Sequence, residues 1–284
     1  MHWQTARRKI PLDKTLVMGV INVTPDSFSD GGKFFSLDDA LRQAETLISE
    51  GADILDIGGE STRPKSSRVL SDEESARVIP VIEAIAKRFE TPISIDTSRA
   101  EVAENAIAVG AEIVNDISGL RFDPQIGEVA ASHGAGLVLM HSRGSFETMH
   151  TLPPVDDILS AVSADFGRAI SDARSFGVAA EQIVLDIGVG FSKTLGQNLE
   201  LLAKLGKLVR EFSEFPVLVG TSRKSFIGKL LGGVPAEERL SGSLATAVIA
   251  ALNGAKIIRV HDVRPTVDAL TVTQNIKSVA EREV

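Results

Sequence analysis

The sequence predicts an α/β protein built as a single (β/α)8 TIM barrel, and three observations carry that prediction. Eight short apolar runs alternate with amphipathic stretches of helical period, and nothing breaks the alternation. The runs are continuously apolar, as parallel strands covered on both faces are. The 284 residues also suit one barrel of roughly 250 residues better than two average domains. The predicted strands are Leu16–Ile21, Ile54–Ile57, Ile93–Ile95, Ile113–Val114, Leu137–Met140, Ile183–Leu185, Val217–Val219 and Ile257–Val260. The predicted helices cover Asp38–Glu50, Asp72–Phe89, Glu101–Val109, Pro154–Phe176, Leu199–Phe212, Leu240–Leu252 and the chain from Asp262 onward. Gly51, Gly110 and Gly177 follow three of them where a helix C-cap favours glycine. A doubly wound open sheet is the competing fold, but the first strand lacks the glycine-rich dinucleotide loop after it. Residues 1–15 read as an N-terminal extension and 16–284 as the barrel domain.

Composition narrows the function. Hydrophobic residues make up 43% and charged residues 24% of the chain, which is ordinary for a globular domain. The absence of cysteine excludes disulfides, a thiol nucleophile and thiolate metal sites on this chain. A net charge of −8 without a long basic run, and 5% aromatic residues with Trp3 the one tryptophan, argue against nucleic acid as a partner. No apolar run reaches the 18 or so residues of a membrane span, and Met1–Lys14 is polar, so the expectation is a cytoplasmic protein without a membrane partner. Small-molecule chemistry remains.

A barrel of this kind works at the carboxyl ends of its strands, and the residues there are polar on nearly every strand. In order they are Asn22; Asp56 with Glu60, Thr62 and Arg63; Asp96; Asn115 with Asp116; His141; Asp186; Thr221 with Arg223 and Lys224; then Arg259 and His261. Any one could be a helix cap; so many at one mouth point to a site. Arg63, Lys224, Arg259 and His261 would draw an anionic ligand despite the acidic chain, and phosphate suits both the arginine fork and the loops after strands seven and eight. Asp96, Asn115 and Asp186 suit a flat heterocycle held by its hydrogen-bonding edge, with Lys224 serving its acceptor side. A cage of protein ligands for a metal is not favoured, because no cluster of His or Glu accompanies the two aspartates. Residues 22–32 form a long polar loop suited to a lid, and Gly58-Gly59 leads a second loop able to approach a ligand closely. Helix Leu240–Leu252 is apolar nearly all round, as expected for a helix between the barrel and a partner subunit.

Several of these segments are long motifs: Met18-Gly-Val-Ile-Asn-Val-Thr-Pro-Asp-Ser-Phe-Ser-Asp-Gly-Gly32, Gly59-Glu-Ser-Thr-Arg-Pro64, Ile95-Asp-Thr-Ser98, Val114-Asn-Asp-Ile117, Ser222-Arg-Lys-Ser-Phe226 and Arg259-Val-His-Asp262. Together, in this order and over most of the chain, they resemble the dihydropteroate synthases of folate biosynthesis. The resemblance implies a homodimeric (β/α)8 barrel, a transferase that joins 6-hydroxymethyl-7,8-dihydropterin pyrophosphate to p-aminobenzoate with release of pyrophosphate, and Mg2+ as cofactor. It implies that Asp96, Asn115, Asp186 and Lys224 hold the pterin, with Ile117, Met140 and Gly220 lining its slot. Asn22 would contact magnesium and, with Arg63, Arg259 and His261, form the pyrophosphate pocket. Phe28, Thr62, Pro64, Phe191, Arg223 and Ser225 would receive p-aminobenzoate. Asp96, Asp186, Lys224, Arg63, Arg259 and His261 form the implied catalytic set.

Two departures from the family pattern stand out. Its Asp-Pro-Gly-Phe-Gly-Phe run is here Asp186-Ile-Gly-Val-Gly-Phe191, and Lys65 stands where glycine is common after Arg63-Pro64. The first puts the stiffness of that loop in question, and the second predicts altered handling of p-aminobenzoate analogues such as sulfonamides. The alternatives are a pterin-dependent methyltransferase domain, which needs no pyrophosphate pocket, and a non-catalytic pterin-binding paralogue.

Overall fold

The computed structural model describes residues 1–23, 37–61, 66 and 68–280. Two short antiparallel strands, β1 (His2–Gln4) and β2 (Lys9–Pro11), come first. Eight parallel strands then close into a barrel in chain order: β3 (Leu16–Asn22), β4 (Ile54–Gly58), β5 (Ile93–Asp96), β6 (Ile113–Asp116), β7 (Gly136–Met140), β8 (Ile183–Asp186), β9 (Val217–Val219) and β10 (Ile257–Val260), with β10 hydrogen-bonded to β3. The helices on the outside are α1 (Leu37–Ser49), α2 (Ser71–Arg88), α3 (Ala100–Val109), α4 (Gln125–His133), α5 (Ile158–Ser175), α6 (Leu195–Ala203), α7 (Leu205–Glu211), α8 (Ser225–Leu230), α9 (Leu240–Leu252) and α10 (Val263–Ala280).

The barrel positions the site through the period of two of a β-strand. One face of each strand, carrying residues such as Val17, Leu55, Ile95, Val114, Leu139, Leu185, Val219 and Ile258, packs under the helices in the large core. The opposite face fills the lumen, where Leu16, Met18, Ile54, Ile113, Val138, Val184, Leu218 and Ile257 form a second apolar cluster. Counting on by two from these lumen residues reaches Asn22, Asp56, Asn115, Met140, Asp186, Gly220, Arg259 and His261. Each strand's inner face thus runs from apolar at the base to functional at the mouth, and that register brings the predicted residues together.

The N-terminal extension is the base of this lumen. Trp3, Ile10 and Leu12 of the hairpin join the lumen cluster, and Trp3 is fully buried with its indole N–H donating to the carbonyl of Gln182 at 2.8 Å. Gln182 in turn donates to the carbonyls of Ala130 and Ala135. Arg8 pairs with the buried carboxylate of Glu112 at 2.7 Å and closes the rim of the plug.

Elsewhere the predicted elements recur with local differences. Gly51, Gly110 and Gly177 all end helices at positive φ. The helix expected over Leu199–Phe212 is divided between α6 and α7, which meet at Lys204, and α4 and α8 are short helices outside the predicted set. Helix α9 buries Ser243, Ala247, Ala250 and Ala251 against the barrel, while Leu240, Ile249 and Leu252 stay exposed, as do Val272, Ile276 and Val279 of the adjacent α10.

Candidate active site

The floor of the mouth is a charge network around Arg259. Its Nε lies 2.6 Å from Oδ2 of Asp56 and its Nη2 lies 2.7 Å from Oδ2 of Asp96. Asn115 donates from Nδ2 to the same Asp56 oxygen at 3.1 Å. Asp56 is fully buried, and its Oδ1 has no hydrogen-bond partner among the described residues, so acceptor capacity remains at the bottom of the mouth. Burial acts against the charge of Arg259, but Asp56 and Asp96 outweigh it and hold the guanidinium firmly protonated. Asp96 has the opposite balance: burial, reinforced by Asp56, pushes its carboxyl up to about 7 although Arg259 opposes the shift. One arginine shared by the buried Asp56 and the half-buried Asp96 leaves the outer carboxyl with a pKa near 7.

The second half of the site is the loop after β8. Asp186 is raised by burial against the pull of Lys224, and its Oδ1 accepts from the N–H of Gly188 at 2.8 Å. Lys224 donates to the carbonyl of Val189, and its ammonium lies 4.9 Å from the centre of the Phe191 ring, a cation–π contact. Burial lowers Lys224 to about 8, with Asp186 opposing. Phe191 also stacks on His150 at 5.5 Å. The replacements Ile187 and Val189 are both fully buried in the outer core, so this loop is anchored by apolar side chains where the family pattern has proline and phenylalanine. Gly188 takes φ +61, and a Cβ there would come 2.0 Å from the carbonyl oxygen of His141, so no side chain fits at that position.

Between the two halves, Ile117 and Met140 cluster with Phe146 and Met149, and Phe122 and Phe191 pack against them. That sets apolar side chains beside Asn115 and Asp186, with Asp96 next in register to Asn115, a combination that suits a flat heterocycle. At its edge the strand register sets Asn22 beside Gly58 and Gly58 beside Asp96. Gly220 faces Arg259, where a Cβ would come 3.6 Å from the Cβ of Arg259. His261 has both its backbone N–H and Nδ1 3.1 Å from the hydroxyl of Ser222. Arg223 is tied to Asp262 by two bonds of 3.0 and 2.5 Å, and Ser225 opens α8 in an exposed position. Phe28, Thr62, Arg63, Pro64 and Lys65 lie outside the described residues. The base of the loop that carries four of them is described: Glu60 accepts from the N–H of Val69 at 2.8 Å, and Arg99 bonds both Glu60 and the Val69 carbonyl.

Three residues read from the sequence as part of the rim turn the other way: Thr221, which continues the outward face of Val219 and bonds Thr246 of α9 at 2.9 Å, Asp116 and His141. Asp116 continues the outward face of Val114, and its carboxylate instead organises the turn through Ser118 and the N–H of Leu120. His141 continues the outward face of Leu139 and is buried against Lys193. Asp56, by contrast, belongs to the centre. Lys193 and the aromatic and methionine residues Phe122, Phe146 and Met149 are further members that the strand-end rule did not reach.

A barrel with apolar side chains, carboxylates and an arginine gathered at its mouth suits a pterin-binding enzyme, and the model of the pterin-binding enzyme family matches residues 18–261. The chain belongs to that family, and within it to the dihydropteroate synthases, transferases of folate synthesis. It is 51% identical over 269 residues to the dihydropteroate synthase of Escherichia coli strain K12, covering 94% of this chain and 93% of that one. It is 51% identical over 250 residues to that of a Synechocystis species, covering 88% and 86%. Among solved structures it is similar to Yersinia pestis dihydropteroate synthase in a sulfonamide drug complex, with a TM-score of 0.92 and 45% identity over 98% of this chain and 100% of that one. The Xanthomonas albilineans enzyme with 4-aminobenzoic acid gives 0.90 and 42% over 98% and 99%.

Proposed function

We propose that this mouth joins 6-hydroxymethyl-7,8-dihydropterin pyrophosphate to p-aminobenzoate, giving 7,8-dihydropteroate and pyrophosphate. The observation that carries the assignment of roles is the place of Arg259: its side chain bonds Asp56 and the heterocycle carboxylate Asp96, and His261 follows two residues on along the chain, just past the end of β10. A substrate that is a flat pterin at one end and a pyrophosphate at the other needs both features along one line. A pterin-dependent methyltransferase domain has no use for the second.

Asp96, Asn115 and Asp186 take the hydrogen-bonding edge of the pterin, Lys224 its acceptor atoms, and Ile117, Met140 and Gly220 its faces. Arg259, His261 and Arg63 meet the pyrophosphate, whose negative charge grows as the bond from oxygen to the pterin methylene breaks, so they favour the transition state over the ground state. The aromatic amine of p-aminobenzoate forms the new C–N bond with its own lone pair and then loses one proton. It is neutral at pH 7, so the protein positions it rather than activating it; Thr62, Pro64, Phe28, Phe191, Arg223 and Ser225 are assigned that role. Electron density from the ring, with Asp96 and Asp186 beside it, supports the positive charge left on the methylene carbon.

Magnesium fits this arrangement. No group of three or more His, Cys, Asp or Glu able to hold a metal occurs among the described residues, and magnesium commonly takes few protein ligands with phosphate oxygens and water completing its shell. Asn22, partly exposed at the mouth end of β3, offers one amide oxygen. Bound there, the ion would supply neutralisation of the pyrophosphate oxygens.

The test is release of pyrophosphate from the purified protein. It should require both substrates and magnesium, yield a product with the mass of dihydropteroate, and fall sharply in Arg259→Ala. A folded protein that binds the pterin pyrophosphate without turnover would favour the non-catalytic paralogue. We also propose a homodimer through the exposed apolar residues of α9 and α10. Ile249→Glu with Ile276→Glu should convert the dimer to monomer in sedimentation equilibrium. A monomeric wild-type protein would refute it. None of the helices among the described residues is long and apolar enough to cross a membrane, and the cytoplasm is the proposed location.

A further inference from the structure

We propose that Lys193 is the positioning residue that seats Phe191 for the aromatic amine, a role that rests on the function proposed above. Its ammonium faces four acceptors: the carbonyl of Gly188 at 2.7 Å, Nδ1 of His141 at 2.9 Å, the carbonyl of Phe191 at 3.0 Å and the carbonyl of His141 at 3.5 Å. Three N–H bonds satisfy the three close partners, and the long contact is secondary. None of these four acceptors is a carboxylate. Burial, followed by the charge of Lys224, lowers Lys193 to about 7; its protonated form directs three N–H groups at the end of β7 and at the two ends of one turn.

That turn is Gly188 to Phe191, whose N–H also donates to the Gly188 carbonyl at 3.2 Å. Lys193 therefore clasps both ends of the turn and fastens it to His141. Lys224 holds the middle of the same turn through the Val189 carbonyl, so two lysines brace it from different elements. Held in this way, the Phe191 ring meets Lys224, His150 and the apolar cluster of Ile117 and Met140 together. The adjacent Ser192 hydroxyl donates to the Met149 carbonyl, and Asn198 accepts from the N–H of Gly190 at 2.7 Å. These bonds fasten the loop's flanks, and among the described residues it is Lys193 that joins the Gly188 and Phe191 carbonyls to His141.

His141 is matched to this task. To accept at Nδ1 it must be neutral with its proton on Nε2, and burial, followed by the neighbouring charge of Lys193, lowers it to about 2. It stays neutral throughout the neutral range, and accepts at Nδ1 in the tautomer with its proton on Nε2. A methionine at 193 fills a similar volume and offers no donor, leaving the Phe191 carbonyl and a ring nitrogen in need of partners and the Gly188 carbonyl with the Phe191 N–H only.

The experiment uses the full-length chain with Lys193→Met, Lys193→Gln and Lys193→Ala. Turnover by the wild type is established first; its failure would refute the proposed function and not the placement of Lys193. With turnover in hand, Lys193→Met should raise the KM for p-aminobenzoate about tenfold, while kcat and the KM for the pterin pyrophosphate change by less than about threefold. Lys193→Gln, which keeps two donors, should lie between. Ethylammonium should lower the KM for p-aminobenzoate of Lys193→Ala and leave that of the wild type unchanged. Equal rises in both KM values, a fall confined to kcat, or no response to ethylammonium would overturn the proposal. Should Lys193→Met fail to fold, Lys193→Gln decides: an unchanged KM for p-aminobenzoate refutes the role, and a rise of more than about threefold supports it.

Discussion

Arg259 and Asp56 meet at the centre of the barrel, with 2.6 Å between guanidinium Nε and carboxylate Oδ2. Asp56 has no exposed surface, so it cannot itself touch solvent. Its part is to fix the direction in which Arg259 presents its remaining N–H groups, and to hold Asn115 on its other flank.

Asp56→Asn keeps the shape of that side chain and removes its charge. Arg259 would then be held by Asp96 alone, and kcat/KM should fall by about 100-fold, roughly 2.7 kcal/mol in transition-state stabilisation. Steady-state kinetics with a parallel thermal melt would show it. Unchanged kinetics would mean that Asp96 suffices to aim the arginine.

Because burial raises Asp96 to about 7, pterin binding should be linked to protons. The pterin N–H groups prefer the ionised carboxylate, so binding lowers the carboxyl pKa and releases a proton when the free site is protonated. Affinity should therefore rise with pH up to about 7 and then level off. Calorimetry at pH 6 in buffers of different ionisation enthalpy would detect up to one proton released, and Asp96→Asn should abolish the release.

His141 makes the opposite kind of prediction, concerning stability. Its pKa falls from 6.5 to about 2 on burial, so between those values the unfolded chain binds more protons than the folded one. Stability contributed by the neutral ring is complete above about 6.5 and is lost as the pH drops below it. The slope is at most about 1.4 kcal/mol per pH unit. Urea unfolding at pH 7 and pH 5 should show a smaller loss in His141→Gln than in the wild type, the difference isolating this ring from the buried carboxylates.

Trp3 gives a prediction remote from the mouth. Trp3→Ala removes the largest side chain of the basal plug and the bond to Gln182, and should cost about 3–5 kcal/mol of stability. Denaturant titration measures the loss, while activity at a temperature where the variant stays folded should match the wild type. A loss below about 1 kcal/mol would mean that the lumen closes around the gap.

The eight barrel strands were legible because each is an apolar run covered on both sides, and the mouth because polar residues cluster at their ends. The alternation along a strand sorted those residues further: Asn115 faces the lumen and its neighbour Asp116 does not. Sequence order alone gave both equal standing. Asp56 sits two residues before the end of β4, where a strand-end reading places less weight. The hairpin carrying Trp3 escaped because strands of three residues show no period. Helix α8, at six residues, is too short for a helical repeat. Lys193 carries no mark in the sequence, since its meaning comes from His141, 52 residues away.

The bond from Trp3 to Gln182 spans 179 residues of chain, which sets an order of events at the ribosome. The hairpin is made before the barrel strands, yet part of its seat is made by β8, one of the later of them. At about 5–20 residues per second of synthesis, the tryptophan waits roughly ten to forty seconds before its partner exists. During that interval Trp3, Ile10 and Leu12 have no complete lumen to fill. The Trp3 indole therefore stays without its acceptor until the chain reaches β8, and docking of the hairpin seals the base of the barrel.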